Sequence, residues 1–497
     1  MTVPEPSVPI TRRPAARAVL VTACLALFVS TLDNTVVNVA LPHIGRDLHA
    51  GTAALQWVVD SYLVVRGCLL MSAGALGDRY GRRGVFQLGL AVFGAGSLLC
   101  SLARGAGMLI GFRVLQAVGG CFLVPGSLAL VAEAYPEPGE RARAIGVWSA
   151  TTALSTGLGP PVGGLFVDTL GWRSIFWINI PVVAVAIALA ARYAPRSSRA
   201  AGRKLDLPGQ ALISLALLGI VAGFIDASVA GWGAPLVIAA FAVGLAAAAG
   251  FVAAEFRADQ PLLSPRYFRS RPFSGAAMVV TGAYIIYTGF LFVNTLYLQD
   301  LRGYSAIAAG LIVVPSTLGG LVLSPLFGRI TAARGPLLPV ILSVSALLAG
   351  TLVLAFASAG GSLPVLILCY VLIGMGGELV NTPVTNAAVA GMPPERAGVA
   401  GAVTSTFRQI GNSVGVALLG TIALAGITGV GSGLGSGTFG RHARHLFLTG
   451  LQNAYLAAAG VALVTLIVAI ACFRSGSAEP TPPRWRPDQS HQPESLG

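Results

Sequence analysis

Apolar residues in this chain come in long blocks, not in alternation. Stretches of about 18 or more mostly apolar residues recur from Ala18 to Phe473, and each is long enough to cross a bilayer core as a helix. Most of the charges gather in the short segments between them. In lipid every backbone amide needs a partner within its own segment, so blocks of this kind predict helices. Fourteen are expected, at roughly 18–41, 54–76, 85–103, 106–130, 143–167, 174–192, 208–227, 233–253, 273–298, 306–328, 337–358, 363–389, 398–427 and 451–473. An even number returns the chain to its starting side.

Composition agrees with this reading. The 497 residues are 55% apolar and only 10% charged, with a mean hydropathy of +0.77. No ordinary soluble domain has this balance, and the chain reads as an all-α, multi-pass membrane protein. The net charge of +13 would suit a nucleic-acid partner, but the placement of the charges says otherwise. With a cytoplasmic N-terminus, 23 of the 32 basic residues fall in cytoplasmic segments and six on the opposite side. The remaining three, Arg66, Arg113 and Arg408, lie inside spans. That bias is the positive-inside signal. It predicts both termini in the cytoplasm and no nucleic-acid partner. One lysine against 31 arginines fits a GC-rich bacterial genome, hence the bacterial cytoplasmic membrane.

Candidate enzyme chemistry is thin. Cys24, Cys68, Cys100, Cys121, Cys369 and Cys472 are scattered, without disulfide or metal spacing. The five histidines fall in loops or the tail, and no GxxxxGK[ST] loop occurs. Neither an enzyme nor an ATP-driven pump is expected, and no metal or cofactor. The first apolar run is too long for a cleavable signal and should remain as the first span.

The chain also repeats itself. "GDRYGRRG" at 77–84 aligns with "GRITAARG" at 328–335, "LQAVGG" at 115 with "LIGMGG" at 372, and "ERARAIG" at 140 with "ERAGVAG" at 395. The offsets are 251, 257 and 255 residues and carry span 2 onto span 10. A six-helix unit duplicated around two inserted spans produces that shift. The expected organisation is a cytoplasmic tail (1–17), a six-helix bundle (18–192), an inserted helix pair with its flanking loops (193–272), a second six-helix bundle (273–473) and a disordered tail (474–497). Parallel halves with a site between them are a known transporter plan.

Polar residues inside the spans carry the candidate chemistry. In "VSTLDNTVVNVALP" (29–42), Asp33 shares an arc of about 160° with Ser30, Thr31, Asn34 and Asn38. A charge at mid-membrane costs at least ~3 kcal/mol, so this face is expected to line a cavity. A carboxylate that alternates between an arginine partner and other surroundings can take up and release a proton. Glu378 forms a second polar stripe with Asn381, Thr382 and Thr385, next to Gly376, Gly377 and Pro383. It reads as a substrate or proton site, or as a buried acid paired with Arg408 or Arg66. Arg408 is followed one turn on by Asn412, and Tyr284 and Thr288 give span 9 an aromatic and hydroxylic wall suited to a bulky amphipathic ligand. Arg113 lies among Gln116, Ala117 and Gly120, small enough for close helix approach. Arg66 reads as the buried partner of an acid.

Several motifs, in order, resemble the major facilitator superfamily. "GALGDRYGRRG" (74–84) is similar to its loop 2–3 signature, "LIGFRVLQAVGG" (109–120) to its span 4 signature, and "GLGPPVGG" (157–164) to its antiporter motif in span 5. "LDNTVVNVALP" and "RQIGNSVGVALLGT" resemble the fourteen-span drug:proton antiporter subfamily, of the actinobacterial antibiotic-resistance exporter type. The resemblance covers about 15–473. It implies that Asp33 and Arg113 serve proton coupling. It implies that Asp78 and Arg82, with Arg79 beside them, latch the halves on the cytoplasmic side. Gly157, Gly159, Pro160, Gly163 and Gly164 would shape the span 5 bend and restrict leak. Arg66 and Glu378 depart from the pattern and point to a particular substrate.

The expected function is therefore proton-driven export of antibiotics or other drug-like organic molecules by alternating access. The partners are lipid, the small molecule and protons, and the chain should act as a monomer. Export of an endogenous metabolite, such as a peptide, an amino acid or a siderophore, would use the same machinery. A non-transporting receptor or scaffold needs neither the repeat nor intramembrane charges.

Overall fold

The computed structural model describes residues 12–195, 206–258, 263–358, 360–390, 397–425 and 441–474. It is almost wholly helical. The first half holds α1 (Arg12–Asp47), α2 (Thr52–Tyr80), α3 (Arg82–Ser101), α4 (Ala106–Ala134), α5 (Pro138–Leu170), the single turn α6 (Ser174–Trp177) and α7 (Asn179–Tyr193). Then come α8 (Leu207–Ala230) and α9 (Pro235–Arg257). The second half holds α10 (Arg271–Leu296), α11 (Ala306–Arg334), α12 (Leu337–Ala357), α13 (Leu363–Leu379), α14 (Asn381–Ala390), α15 (Ala397–Leu424) and α16 (Arg441–Phe473). A π-helical turn, Tyr297–Leu301, closes α10. The expected loop at 429–440 and the tail beyond Ser475 lie outside the described residues.

Twelve of these helical units are long and apolar enough to cross a membrane, among the described residues. Two of the fourteen expected spans, at 143–167 and 398–427, coincide with α5 (33 residues) and α15 (28 residues), which are not among the twelve. Both are rich in Gly, Ser and Thr. Each packs on helices of both halves: α5 on α1 and α11, and α15 on α10 and α2. Two boundaries also move. The first helix begins at Arg12, inside the segment expected to be a tail, and the last begins at Arg441, ten residues early.

Helix packing repeats between the two sets. In the first, α1 packs on α5 and α7, α4 on α2 and α3, and α3 on α7. In the second, α10 packs on α15 and α16, α13 on α11 and α12, and α12 on α16. Two seams join the sets, α5 against α11 and α2 against α15. The pair α8–α9 stays outside, with α8 against α2 and α15. Polar bonds fix α8 to both: Gln210 Nε2 donates to the Cys68 carbonyl (2.9 Å) and Thr421 Oγ1 to the Phe224 carbonyl (2.7 Å).

Glycine sets the closeness of the α5–α11 seam. A Cβ on Gly164 would strike the backbone of Ala306 and Ile307, and one on Gly310 the carbonyl of Pro160. Where α13 breaks at Val380 before α14, Gly376 and Gly377 admit Leu347 and Tyr287 against the backbone.

Candidate functional site

Asp33 does not face an open cavity. It lies inside the first bundle, 1% exposed, and is fully partnered. Arg113 Nη1 of α4 donates to its Oδ2 at 2.5 Å. Gln116 Nε2 of α4 and Asn179 Nδ2 of α7 each donate to Oδ1 at 2.8 Å. Ser97 Oγ of α3 accepts from both amides, at 2.8 and 3.2 Å. Arg113, also 1% exposed, donates further to Gln116 Oε1 (2.7 Å) and to the Val58 carbonyl of α2 (3.3 Å), and it lies 4.2 Å over the Tyr62 ring. Five helices thus meet on one ion pair.

The polar arc of α1 therefore divides. Asp33 and Ser30 point into the bundle, where Ser30 is fully buried. Asn34 is half-buried, and Asn38 donates to the Asn34 carbonyl (3.1 Å). Asn38 and Thr35 line a small void between the halves with Pro160, Leu291, Thr295 and Val313. Its volume of about 20 Å³ has room for little more than a water.

The second set brings together another polar group. Asn381 Nδ2, just after the helix break, donates to Tyr284 Oη (2.7 Å) and to the Glu378 carbonyl (3.2 Å). Arg408 reaches Asn381 Oδ1 at 3.5 Å and lies 5.8 Å from the Tyr284 ring centre. Glu378 is half-buried and has no ion pair with Arg408 or Arg66. Arg66 likewise makes no ion pair among the described residues, contrary to expectation. Its guanidinium lies 5.8 Å from the Tyr62 ring centre. Thr288 Oγ1 donates to Asn412 Oδ1 (2.6 Å), and Asn412 Nδ2 to Gln409 Oε1 (2.7 Å), a separate link between α10 and α15. Thr385 is half-buried and Thr382 exposed.

Bonds between the halves gather at one end, called here the far end, where α1 stops at Asp47 and α5 at Leu170. Asp168 accepts from the backbone amides of Ala306 (3.2 Å) and Ile307 (2.9 Å), capping the start of α11 across the seam. Gln299 Nε2 donates to the Val39 carbonyl (2.8 Å), and Arg46 lies 3.7 Å from Asp300. Gln56 Nε2 donates to the Val416 and Ala417 carbonyls of α15 (3.4 and 3.3 Å). Gly157 faces Thr317 across the same α5–α11 seam, whereas Gly159 and Gly163 face Thr35 and Val36 of α1.

At the near end the expected latch is not made. Asp78 is exposed and Arg82 half-buried, and they pair with each other one turn apart (3.0 Å). Arg79 lies against Tyr80 (5.4 Å). Both residues of the expected latch lie in the first set of helices, and among the described residues no bond joins them to the second set.

Sequence reasoning placed Asp33, Arg113, Tyr284, Glu378, Asn381 and Arg408 in polar clusters, but missed Ser97, Asn179 and Asp168. A signal existed: Asn179 and Ser97 are isolated polar residues in apolar spans, "FWINIPV" and "GAGSLLC".

The major facilitator superfamily model matches residues 23–416. Among similar proteins is the methylenomycin A resistance protein of Streptomyces coelicolor, 38% identical over 417 residues, covering 83% of this chain and 86% of that one. The multidrug resistance protein Stp of Mycobacterium tuberculosis is 36% identical over 409 residues, with 82% and 75% covered. The tetracenomycin C resistance and export protein of Streptomyces glaucescens is 32% identical, with 91% and 90% covered. Among solved structures, a bacterial homologue of the human lysosomal transporter Spinster aligns with a TM-score of 0.70 at 17% identity, covering 93% of this chain and 98% of that one.

Proposed function

This chain belongs to the major facilitator superfamily, and from that premise we propose that it exports antibiotics or other drug-like organic molecules in exchange for protons, by alternating access. The observation that carries the reading is the buried Asp33–Arg113 pair. A merely structural bundle is served as well or better by apolar residues of similar volume at such a position. Intramembrane ionisable residues instead mark ion pathways.

The geometry gives a route for coupling. A proton arriving on Asp33 removes the charge that holds Arg113 Nη1. Arg113 keeps its bonds to Gln116 and the Val58 carbonyl, so it stays with α4 and α2. The tie that loosens is the one to α1. That helix also presents Asn38 to the void between the halves and offers the Val39 carbonyl to Gln299. Proton and drug would thus compete through the position of one helix, without touching each other. One proton moving down 100 mV supplies roughly 2.3 kcal/mol, enough for a gradient of more than tenfold.

The Glu378, Tyr284, Asn381 and Arg408 group is the proposed substrate wall of the second half. Arg79, Asp78 and Arg82 are proposed to latch the halves in the opposite state. We place the chain in the bacterial cytoplasmic membrane with fourteen spans, two six-helix halves, an inserted pair at 193–272 and both termini in the cytoplasm. It is proposed to work as a monomer, without catalysis and without a cofactor. Reconstituted protein under an imposed pH gradient tests this: drug accumulation with opposite proton flux supports it, and drug movement indifferent to the gradient contradicts it.

A further inference from the structure

Asp60 is a second intramembrane carboxyl with surroundings unlike those of Asp33. It lies in α2, is 0% exposed, and neither oxygen has a hydrogen-bond partner among the described residues. Its position follows from its neighbours. Gln56, one turn earlier, bonds the Val416 and Ala417 carbonyls. Gly67, two turns later, packs on Gln409. Gln56, Asp60 and Gly67 share about 40° of arc on α2, so Asp60 lies on the face that meets α15. The two helices run antiparallel, which sets Asp60 opposite the turn of α15 that holds Ser413. Ser413 is also 0% exposed, and its hydroxyl has no partner. The seam between the halves thus closes over a carboxyl that no side chain or backbone group holds among the described residues.

No charged neighbour explains this. On α15 the residues of the seam face are Gln409, Ser413, Val416 and Ala417, and Arg408 lies about 140° away from Ser413. On α8 the apolar Leu217, Val221 and Ile225 cover the flank, and Asp226 points off that face. On α4 Arg113 is held by Asp33, Gln116 and Val58, and Cys121 bonds its own helix. Asp33 of α1 has its own donors, and α3 joins α2 at the other end, beside Gly81. Arg66 of α2 lies about 240° around from Asp60. An ionised carboxylate without donors is strongly disfavoured in such a place, whereas the neutral form packs without that penalty.

We infer that Asp60 is a second proton-carrying site: the far-end α2–α15 seam shuts only over its neutral carboxyl, and the ionised carboxylate favours the open seam. The proton joins a carboxylate oxygen from far-side water while the seam is open, and stays there while it is shut. Asp33 has three donors, an arginine among them, where Asp60 has none, so the two carboxyls sit in opposite surroundings in the same state. The inference rests on the alternating-access reading.

The test reads seam opening directly. Ala417→Cys places a thiol within the shut seam, next to Gln56. A membrane-impermeant maleimide is added to the outer face of intact cells, with the unsubstituted chain as blank. Labelling is normalised to an exposed thiol at Thr169→Cys, which corrects for thiol ionisation. Normalised labelling should rise roughly tenfold as pH goes from about 5 to about 9. With Asp60→Asn, neutral and of the same shape, it should change less than about twofold. Asp60→Thr serves if the Asn variant fails to accumulate, and the same flat profile is expected. An unchanged slope in these variants, or a flat profile in the parent, overturns the inference. Labelling needs neither drug nor gradient, so its result stands apart from that of the transport test.

Discussion

Asp33 Oδ2 and Arg113 Nη1 stand 2.5 Å apart, each side chain closed off from solvent, and they tie α1 to α4. The pair is one node of a network that takes in Ser97, Gln116 and Asn179, from three further positions on two bundled helices and α4 itself. Such a pair is costly to break from one side only, because the abandoned charge has nowhere to go.

Arg113→Met should therefore strip Asp33 of its counter-ion and destabilise the first bundle by ~3–5 kcal/mol. Adding Asp33→Asn should recover most of that loss, since the buried charge is gone. Transport should stay absent in the double variant. Melting temperature and drug efflux, measured on both, separate folding from coupling. Recovery of efflux in the double variant would show that the pair is structural alone.

Among the described residues Glu378 makes no ion pair, and although the Arg408 charge acts on it, it should select for positive charge. Glu378→Gln should weaken export of a cationic drug by roughly tenfold, on the scale of one exposed-to-half-buried charge interaction, and spare a neutral one. Resistance profiles against one drug of each kind decide it. Equal loss for both would assign Glu378 to the fold and not to selectivity.

Asp168 caps α11 across the seam, so its removal should loosen the far end. A lost helix cap costs ~1 kcal/mol, about a fivefold shift in a two-state balance. Distance measurements between spin labels on the two halves should show the wider far-end population grow in Asp168→Ala by that factor. An unchanged distribution would leave Asp168 as a local cap without influence on the state.

Asp78 and Arg82 pair with each other at the near end. Asp78→Ala or Arg82→Ala should leave drug binding within about twofold and slow turnover, because contacts made in only one state shift the equilibrium and not the site. Binding and transport are measured separately, and lost binding with intact transport would refute the assignment.

The apolar blocks made the helices and their order legible, since length and hydropathy alone decide what can cross a bilayer. The direction of Asp33 was not legible. A helix wheel distinguishes a polar face from an apolar one, but α1 contacts α4, α5, α7 and α10 and has protein on most sides. Its polar arc serves two surroundings, the ion pair at Asp33 and the inter-half void at Asn38. Asn179 is 146 residues from Asp33, and nothing in local periodicity links them. The low hydropathy of α5 and α15 had a structural meaning too, because these two helices form the seams. Asp60 was visible as a lone acid in span 2, yet only the register of α2 on α15 shows that it sits between the halves.

The central claim is that the charge on Asp33 couples proton to drug. Asp33→Asn keeps shape and polarity, retains an oxygen for Gln116 or Asn179, and cannot exchange a proton. Purified Asp33→Asn protein in proteoliposomes, driven by an imposed pH gradient, is the most direct measurement. The account predicts that drug still binds while gradient-driven uptake falls to the level of protein-free vesicles. Uptake at the rate of the unsubstituted protein would contradict it.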